Sequence, residues 1–153
     1  MCDSDNHRIQ VFNSDGQSLR TWGSGGNANG HFQCPQGISV FHGEVFVADY
    51  GNHRIQVFSL DGQFLRTWGS KGSDVGQFID PWGIAVSGGG EVFVCDSGNH
   101  RIQVFSVEGK FLHTNGSYGN GNGQFSYPSG VAVSGGGEVF VFEKNNHRVQ
   151  VFG

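Results

Sequence analysis

The sequence predicts an all-β protein built from repeated four-stranded antiparallel sheets, and three observations predict it. The triplet Asn-His-Arg stands at 6–8, 52–54, 99–101 and 146–148, so its starts are separated by 46, 47 and 47 residues. A period of that size marks a propeller blade or a solenoid unit. Within each period the apolar runs are too short for helices and rich in Val, Ile and Phe, with Gly, Asn, Asp and Ser between them. Composition agrees: among 153 residues there are 27 Gly and 14 Phe, and only 14% are charged, below the roughly one quarter usual for soluble chains.

The third copy displays the elements in order. GIAV (83–86), EVFVC (91–95), RIQVF (101–105) and KFLHT (110–114) are separated by SGGG, DSGNH and SVEG, which reads as four strands joined by tight hairpins. EVFVC is almost continuously apolar, as expected of a strand covered on both faces by neighbouring blades. No 3.6-residue period is present, which excludes an α-solenoid. The single-residue difference in spacing is local: FHGE at 41–44 replaces SGGGE at 87–91, a change in a turn that leaves the strands in phase.

This division gives a partial blade over 1–33, full blades over 34–79 and 80–126, and a partial blade over 127–153. The chain opens at the end of a second strand and then supplies two, four, four and three complete strands, about three blade equivalents. A closed ring needs at least about four blades, so the expectation is a partial, open β-propeller. It would be a fragment of a longer protein or a truncated product, whose terminal Val and Phe faces favour self-association.

The longest connections, 22–37, 68–83 and 115–130, are rich in Gly, and each contains a Phe (Phe32, Phe78, Phe125) and a Pro two residues before a Gly. The Phe residues are expected to pin the loops to the core, and the Pro residues to fix the approach to the innermost strand. Cys2 and Cys95 occupy the place of Ala48 in another copy and read as small buried hydrophobes. Three cysteines without a CxxC pair give no disulfide framework and no cysteine zinc site.

Within the repeated turn, Asp49 ends a strand, Asn52 can bond its own turn, His53 follows, and Arg54 begins the next strand within reach of Asp49. Asp96, Asn99, His100 and Arg101 repeat the arrangement, Asp3 and Arg8 offer the same pair, and Glu143 replaces the Asp before Arg148. A charge-assisted contact across the hairpin would fix each turn, so the triplet reads as architecture. A catalytic constellation occupies one place on a molecule, whereas these groups recur in every blade.

Metal binding by His7, His53, His100 and His147 is not expected. Neighbouring sheets pack about 10 Å apart, while ligands must come within about 2 Å of one ion. The remaining histidines show no H-x-x-H or H-E-x-x-H spacing, and no G-x-S-x-G elbow or phosphate loop is present. The chain is therefore expected to have no catalytic residues, no metal and no cofactor.

The order P-x-G-I-A-V, V-F-V-A-D-x-G-N-H-R-I-Q-V-F, D-G-x-F-L-R-x-W-G resembles the NHL-repeat family in register over essentially the whole chain. The resemblance implies a β-propeller, commonly six-bladed, with the first strand of each blade lining a channel. In that family such propellers often serve as the substrate-recognition part of RING or tripartite-motif ubiquitin ligases, and some bind single-stranded RNA. Others are enzymes, such as the lyase half of the peptide-amidating system, but its set of His, Arg and Tyr residues is not matched here.

Binding is better sought where the copies differ. The residue between Pro and Gly is Gln36, Trp82 or Ser129; the residue after the turn acid is Tyr50, Ser97 or Lys144; the residue before Pro is Cys34, Asp80 or Tyr127. Trp82, Asp80, Tyr127 and Tyr50 are the candidate contact surface, since aromatics at loop ends are favoured anchors for proteins; the alternative for Trp82 is a plug at the channel mouth. The expected function is a non-catalytic interaction scaffold for a protein partner. The alternative is single-stranded RNA binding, which a formal net charge of −4 and Arg residues tied to repeat positions disfavour. No apolar run of about 18 residues and no signal peptide appear, which points to the cytoplasm and away from a membrane. The Asn115-Gly116-Ser117 sequon then has no modifying compartment.

Overall fold

The computed structural model describes all 153 residues. Fourteen strands form four antiparallel sheets that follow one another along the chain. The first holds β1 (Cys2–Asp3), β2 (Arg8–Phe12) and β3 (Ser18–Trp22), and the second β4 (Pro35–Phe41), β5 (Glu44–Asp49), β6 (Arg54–Ser59) and β7 (Phe64–Trp68). The third holds β8 (Pro81–Val86), β9 (Glu91–Asp96), β10 (Arg101–Ser106) and β11 (Phe111–Asn115), and the fourth β12 (Pro128–Val133), β13 (Val139–Glu143) and β14 (Arg148–Phe152). Strands pair in chain order within every sheet. Sheets meet through their leading strands, β4 against β8 and β8 against β12, and the row does not close on itself. The fold is an open β-propeller arc of four-stranded blades with three-stranded sheets at either end. β1 is the stub that the sequence places at the end of a second strand. No helix is long and apolar enough to cross a membrane.

Alternation builds the core. In β5, Phe46 and Ala48 point into one hydrophobic cluster, shared with Val92, Val94 and Phe105 of the third blade, while Val45 and Val47 point into another with Ile9, Phe32 and Phe58. In β9, Val92 and Val94 face the second blade, whereas Phe93 and Cys95 face Val141 of the fourth. A period of two thus fills both faces of each inner sheet. Phe32, Phe46, Phe58, Phe78, Phe105 and Phe125 are fully buried, each contributing about 1.5–3 kcal/mol relative to exposure. The three loop phenylalanines therefore do pin their loops.

Turn chemistry accounts for the uneven repeat. Phe41 pairs with Glu44, leaving His42 and Gly43 as a two-residue loop with φ of 46° and 83°, the positive pair that a type I′ hairpin requires. The third copy uses a longer turn in which Gly90 has φ 83°. Glycine is required again where the inner strands pass closely: a Cβ on Gly83 would stand 2.8 Å from the Ser129 carbonyl oxygen. Close passage of the backbones holds β8 beside β12, so the residues at the head of each inner strand are brought near their counterparts in the next blade.

Candidate functional site

Each turn acid gathers its own blade. Asp49 is fully buried and accepts from Arg54 Nε at 2.8 Å, from Asn52 Nδ2 at 2.9 Å, from Gln56 Nε2 at 2.9 Å and from the Gln33 backbone N–H at 2.8 Å. Arg54 also donates to the carbonyls of Asn27, Ala28 and His31, and Asn52 donates to that of Gly26. Asp96 receives the same set from Arg101, Asn99, Gln103 and the Ile79 N–H. Buried carboxylates persist when paired and fully hydrogen-bonded. Burial opposes ionisation of Glu143, yet Arg148, Asn146, Gln150 and the Ser126 N–H together hold its carboxyl below the usual range. At Asp3, Arg8 is the largest of the influences that depress the carboxyl, followed by Asn6.

The histidine performs a different task. His7, His53 and His100 lie in the left-handed region, with φ of 54°, 53° and 54°, after a 3₁₀ turn. Their Nδ1 atoms accept backbone N–H bonds from Cys34 at 3.0 Å, Asp80 at 3.2 Å and Tyr127 at 3.2 Å, each at the head of the following blade. The neutral ring then carries its proton on Nε2. The triplet is thus divided: Asn and Arg bind the approach loop of their own blade, and His clasps the next. Cys34, Asp80 and Tyr127 themselves have φ of 50°, 54° and 51° and directly precede Pro, where extended conformations are preferred. Strain of this kind persists only where surroundings over-determine it and clusters at sites of function.

These clasps bring the variable positions together. Tyr50, Asp80, Trp82 and Tyr127 all line one cleft of about 150 Å³, with Ser97, Ser129 and Lys144 completing it. The Tyr50 and Trp82 rings meet edge to face, centroids 5.3 Å apart at 83°. Tyr127 stands edge-on to His100 at 4.6 Å, and Lys144 Nζ lies 5.8 Å from the centre of the Trp82 ring. Trp82 and Tyr50 are half-buried and Tyr127 is exposed. Burial raises the Tyr50 phenol, with the Asp80 charge adding to it, so the carboxylate field reaches into the cleft. Asp80 approaches His53 Nδ1 at 3.7 Å and has no Arg or Lys partner.

Where Ser occupies the position after the turn acid, it has a fastening role: Ser4 Oγ donates to the Pro35 carbonyl at 2.6 Å, and Ser97 Oγ to that of Pro128. Tyr50 takes that place in the second blade and packs on Trp82 instead. Three participants were not singled out from sequence. Gln56 and Gln103 are fully buried network members, signalled only by a polar residue recurring inside the apolar R-I-Q-V-F run. Lys144 belongs to the variable set, and no local pattern marks it for the cleft that it lines. Burial pushes the Cys2 thiol up to about 12 and raises that of Cys95 as well, which leaves both as unreactive packing groups.

Comparison with known proteins agrees with the architecture. The profile of the NHL repeat matches residues 32–58, 78–105 and 125–152. No curated protein sequence matches the chain. Among solved structures it is similar to Kuenenia stuttgartiensis hydrazine synthase, with a TM-score of 0.67 and 14% identity over 91% of this chain and 36% of that one. It is also similar to virginiamycin B lyase from Staphylococcus aureus, with a TM-score of 0.55 and 17% identity over 77% of this chain and 40% of that one. At such identities the likeness shows the fold alone, and the chain spans well under half of either structure.

Proposed function

The chain belongs to the NHL-repeat family, and from that premise we propose that it is a non-catalytic propeller segment that recognises a protein partner through the face around Trp82. One observation carries the reading: the four candidate residues, drawn from the three loop-end positions at which the copies differ most in chemistry, share a single cleft. Half-buried aromatics in a concave site are the usual anchors of protein recognition. In a complex that also carries a RING module, such a face would serve as the substrate-recognition part of a ubiquitin ligase, with the ligase chemistry in that other module.

Single-stranded RNA has less support. The four triplet arginines are bonded to their turn acids, and Arg66 to Glu44, so no run of free cations tracks a phosphate backbone. The test is a peptide-display selection on the folded chain. Trp82→Ala is expected to weaken the selected peptides more than tenfold while costing less stability than a core aromatic. A stability loss of about 3–5 kcal/mol would make Trp82 a core residue, and undiminished peptide binding would remove the cleft from the interface. Steeply salt-dependent binding of an oligoribonucleotide, abolished by the same substitution, would favour RNA.

A further inference from the structure

We propose that the cleft is a receptor for one basic side chain, an arginine or lysine presented by a segment of a protein partner, and that Lys144 is the chain's own stand-in for it. The proposal rests on the protein-recognition reading and specifies its chemistry. Size narrows the ligand first. A volume of about 150 Å³ falls below the roughly 300 Å³ at which small-molecule sites begin, so the cleft takes a single side chain.

Charge decides its sign. Aromatic faces present the negative side of their quadrupole, and a cation within about 6 Å of a ring centre is attracted to it. Lys144 Nζ already makes this contact with Trp82 at 5.8 Å, which shows that an ammonium is accommodated there. Asp80 supplies a carboxylate on the same cleft, 37% exposed and without an Arg or Lys partner. The carboxylates of Asp49 and Asp96 are, by contrast, saturated by their own turns. Asp80 is held in place through its backbone, by His53, and its carboxylate, which faces the Tyr50 hydroxyl, has no cationic Arg or Lys to neutralise it. His53 accepts an N–H and is uncharged in that arrangement; Tyr50 and Tyr127 complete the aromatic walls. A net charge of −4 draws cationic segments at longer range.

Occupancy by Lys144 is then a competition, which gives the proposal a distinctive sign. Removing the internal ammonium with Lys144→Met should tighten a basic peptide about two- to fivefold, the range expected of an exposed cation–π contact. A site for an acidic group would use Lys144 as its anchor, and the same substitution would weaken binding. The probes are peptides selected on the wild-type chain and their variants with each Arg or Lys replaced in turn by Gln, followed by fluorescence anisotropy. One such replacement should cost at least tenfold on the wild type and much less on Asp80→Asn, the coupling that marks direct contact. Melting curves of Asp80→Asn and Lys144→Met should match the wild type, since neither side chain fastens a blade.

Weaker binding by Lys144→Met overturns the proposal. So do selected peptides that depend on Trp82 but tolerate loss of every basic residue; in that case the cleft remains a protein site of other chemistry. A selection that yields no Trp82-dependent peptide overturns both readings.

Discussion

The inner and terminal sheets carry almost the same sequence and have different fates. In β10, Ile102, Val104 and Phe105 are buried; in β14, Val149 and Val151 are 56% and 53% exposed. In β9, Cys95 is buried, whereas Phe142 at the corresponding place in β13 is 47% exposed. Parity explains the pattern: Val139 and Val141 face the third blade, while Phe140 and Phe142 point to the other side, where no blade stands. Burial here belongs to the neighbour as much as to the residue, as expected of a quasi-one-dimensional repeat. The joint between the third and fourth sheets differs in kind as well. Trp22 and Trp68 reach across to Phe58 and Phe105 of the following blade, but Asn115 occupies their position next to Phe152. A cavity of about 370 Å³ lined by Asn115, Phe93, Phe125 and Phe152 lies there.

The comparison can be broken most forcefully with Phe105→Ala. This side chain is fully buried against Phe78, Phe111 and Trp68, and its removal should cost about 3–5 kcal/mol in chemical denaturation. Phe152→Ala, the equivalent change on the terminal sheet, should cost clearly less; equal losses would mean that neighbours do not set the energetics. Next in size is Arg54→Ala, expected to lower stability by about 1–3 kcal/mol through loss of a charged hydrogen bond to buried Asp49. Arg8→Ala, at the exposed Asp3 pair, should cost less, and neither should alter peptide affinity in the folded fraction. Lost binding at unchanged stability for Arg54→Ala would make the triplet a recognition element.

The smallest effect is that of pH at the clasps. Burial, the larger influence, lowers His100, and Asp96 only partly opposes it. The folded protein therefore favours the neutral ring more than the unfolded chain does. Its contribution is complete above the ordinary value of 6.5 and is lost as pH falls through the lower folded value. Melting midpoints between pH 7.5 and 5 should decline less in His100→Gln than in the wild type; parallel declines would assign the acid sensitivity elsewhere.

Strands, hairpins and the Asp–Arg pairs were legible in the sequence because short-range patterns recur four times over. The contrast among copies singled out Tyr50, Asp80, Trp82 and Tyr127, and the blade geometry brings them to one cleft. What escaped sequence reading joins residues by way of the blade geometry. His53 meets Asp80 twenty-seven residues on, and no local pattern distinguishes a histidine that holds the next blade from one that decorates its own turn. Gln56 was hidden among hydrophobes whose period it shares. Lys144 carries no local signal, since an isolated lysine on a turn is ordinarily solvated, and only its position over Trp82 gives it another role.

The clasp has a consequence for how such a surface can change through descent. His7, His53 and His100 grip the main chain of Cys34, Asp80 and Tyr127, and a main-chain N–H is supplied by nearly every amino acid. The fastening therefore does not depend on the functional group of the fastened residue, provided that its side chain tolerates the left-handed backbone there. A thiol, a carboxylate and a phenol already hang from the same hook at three successive joints. Substitution at these places edits what the face displays while the frame that displays it stays constant, the division of labour by which antibody loops vary on an unvarying sandwich.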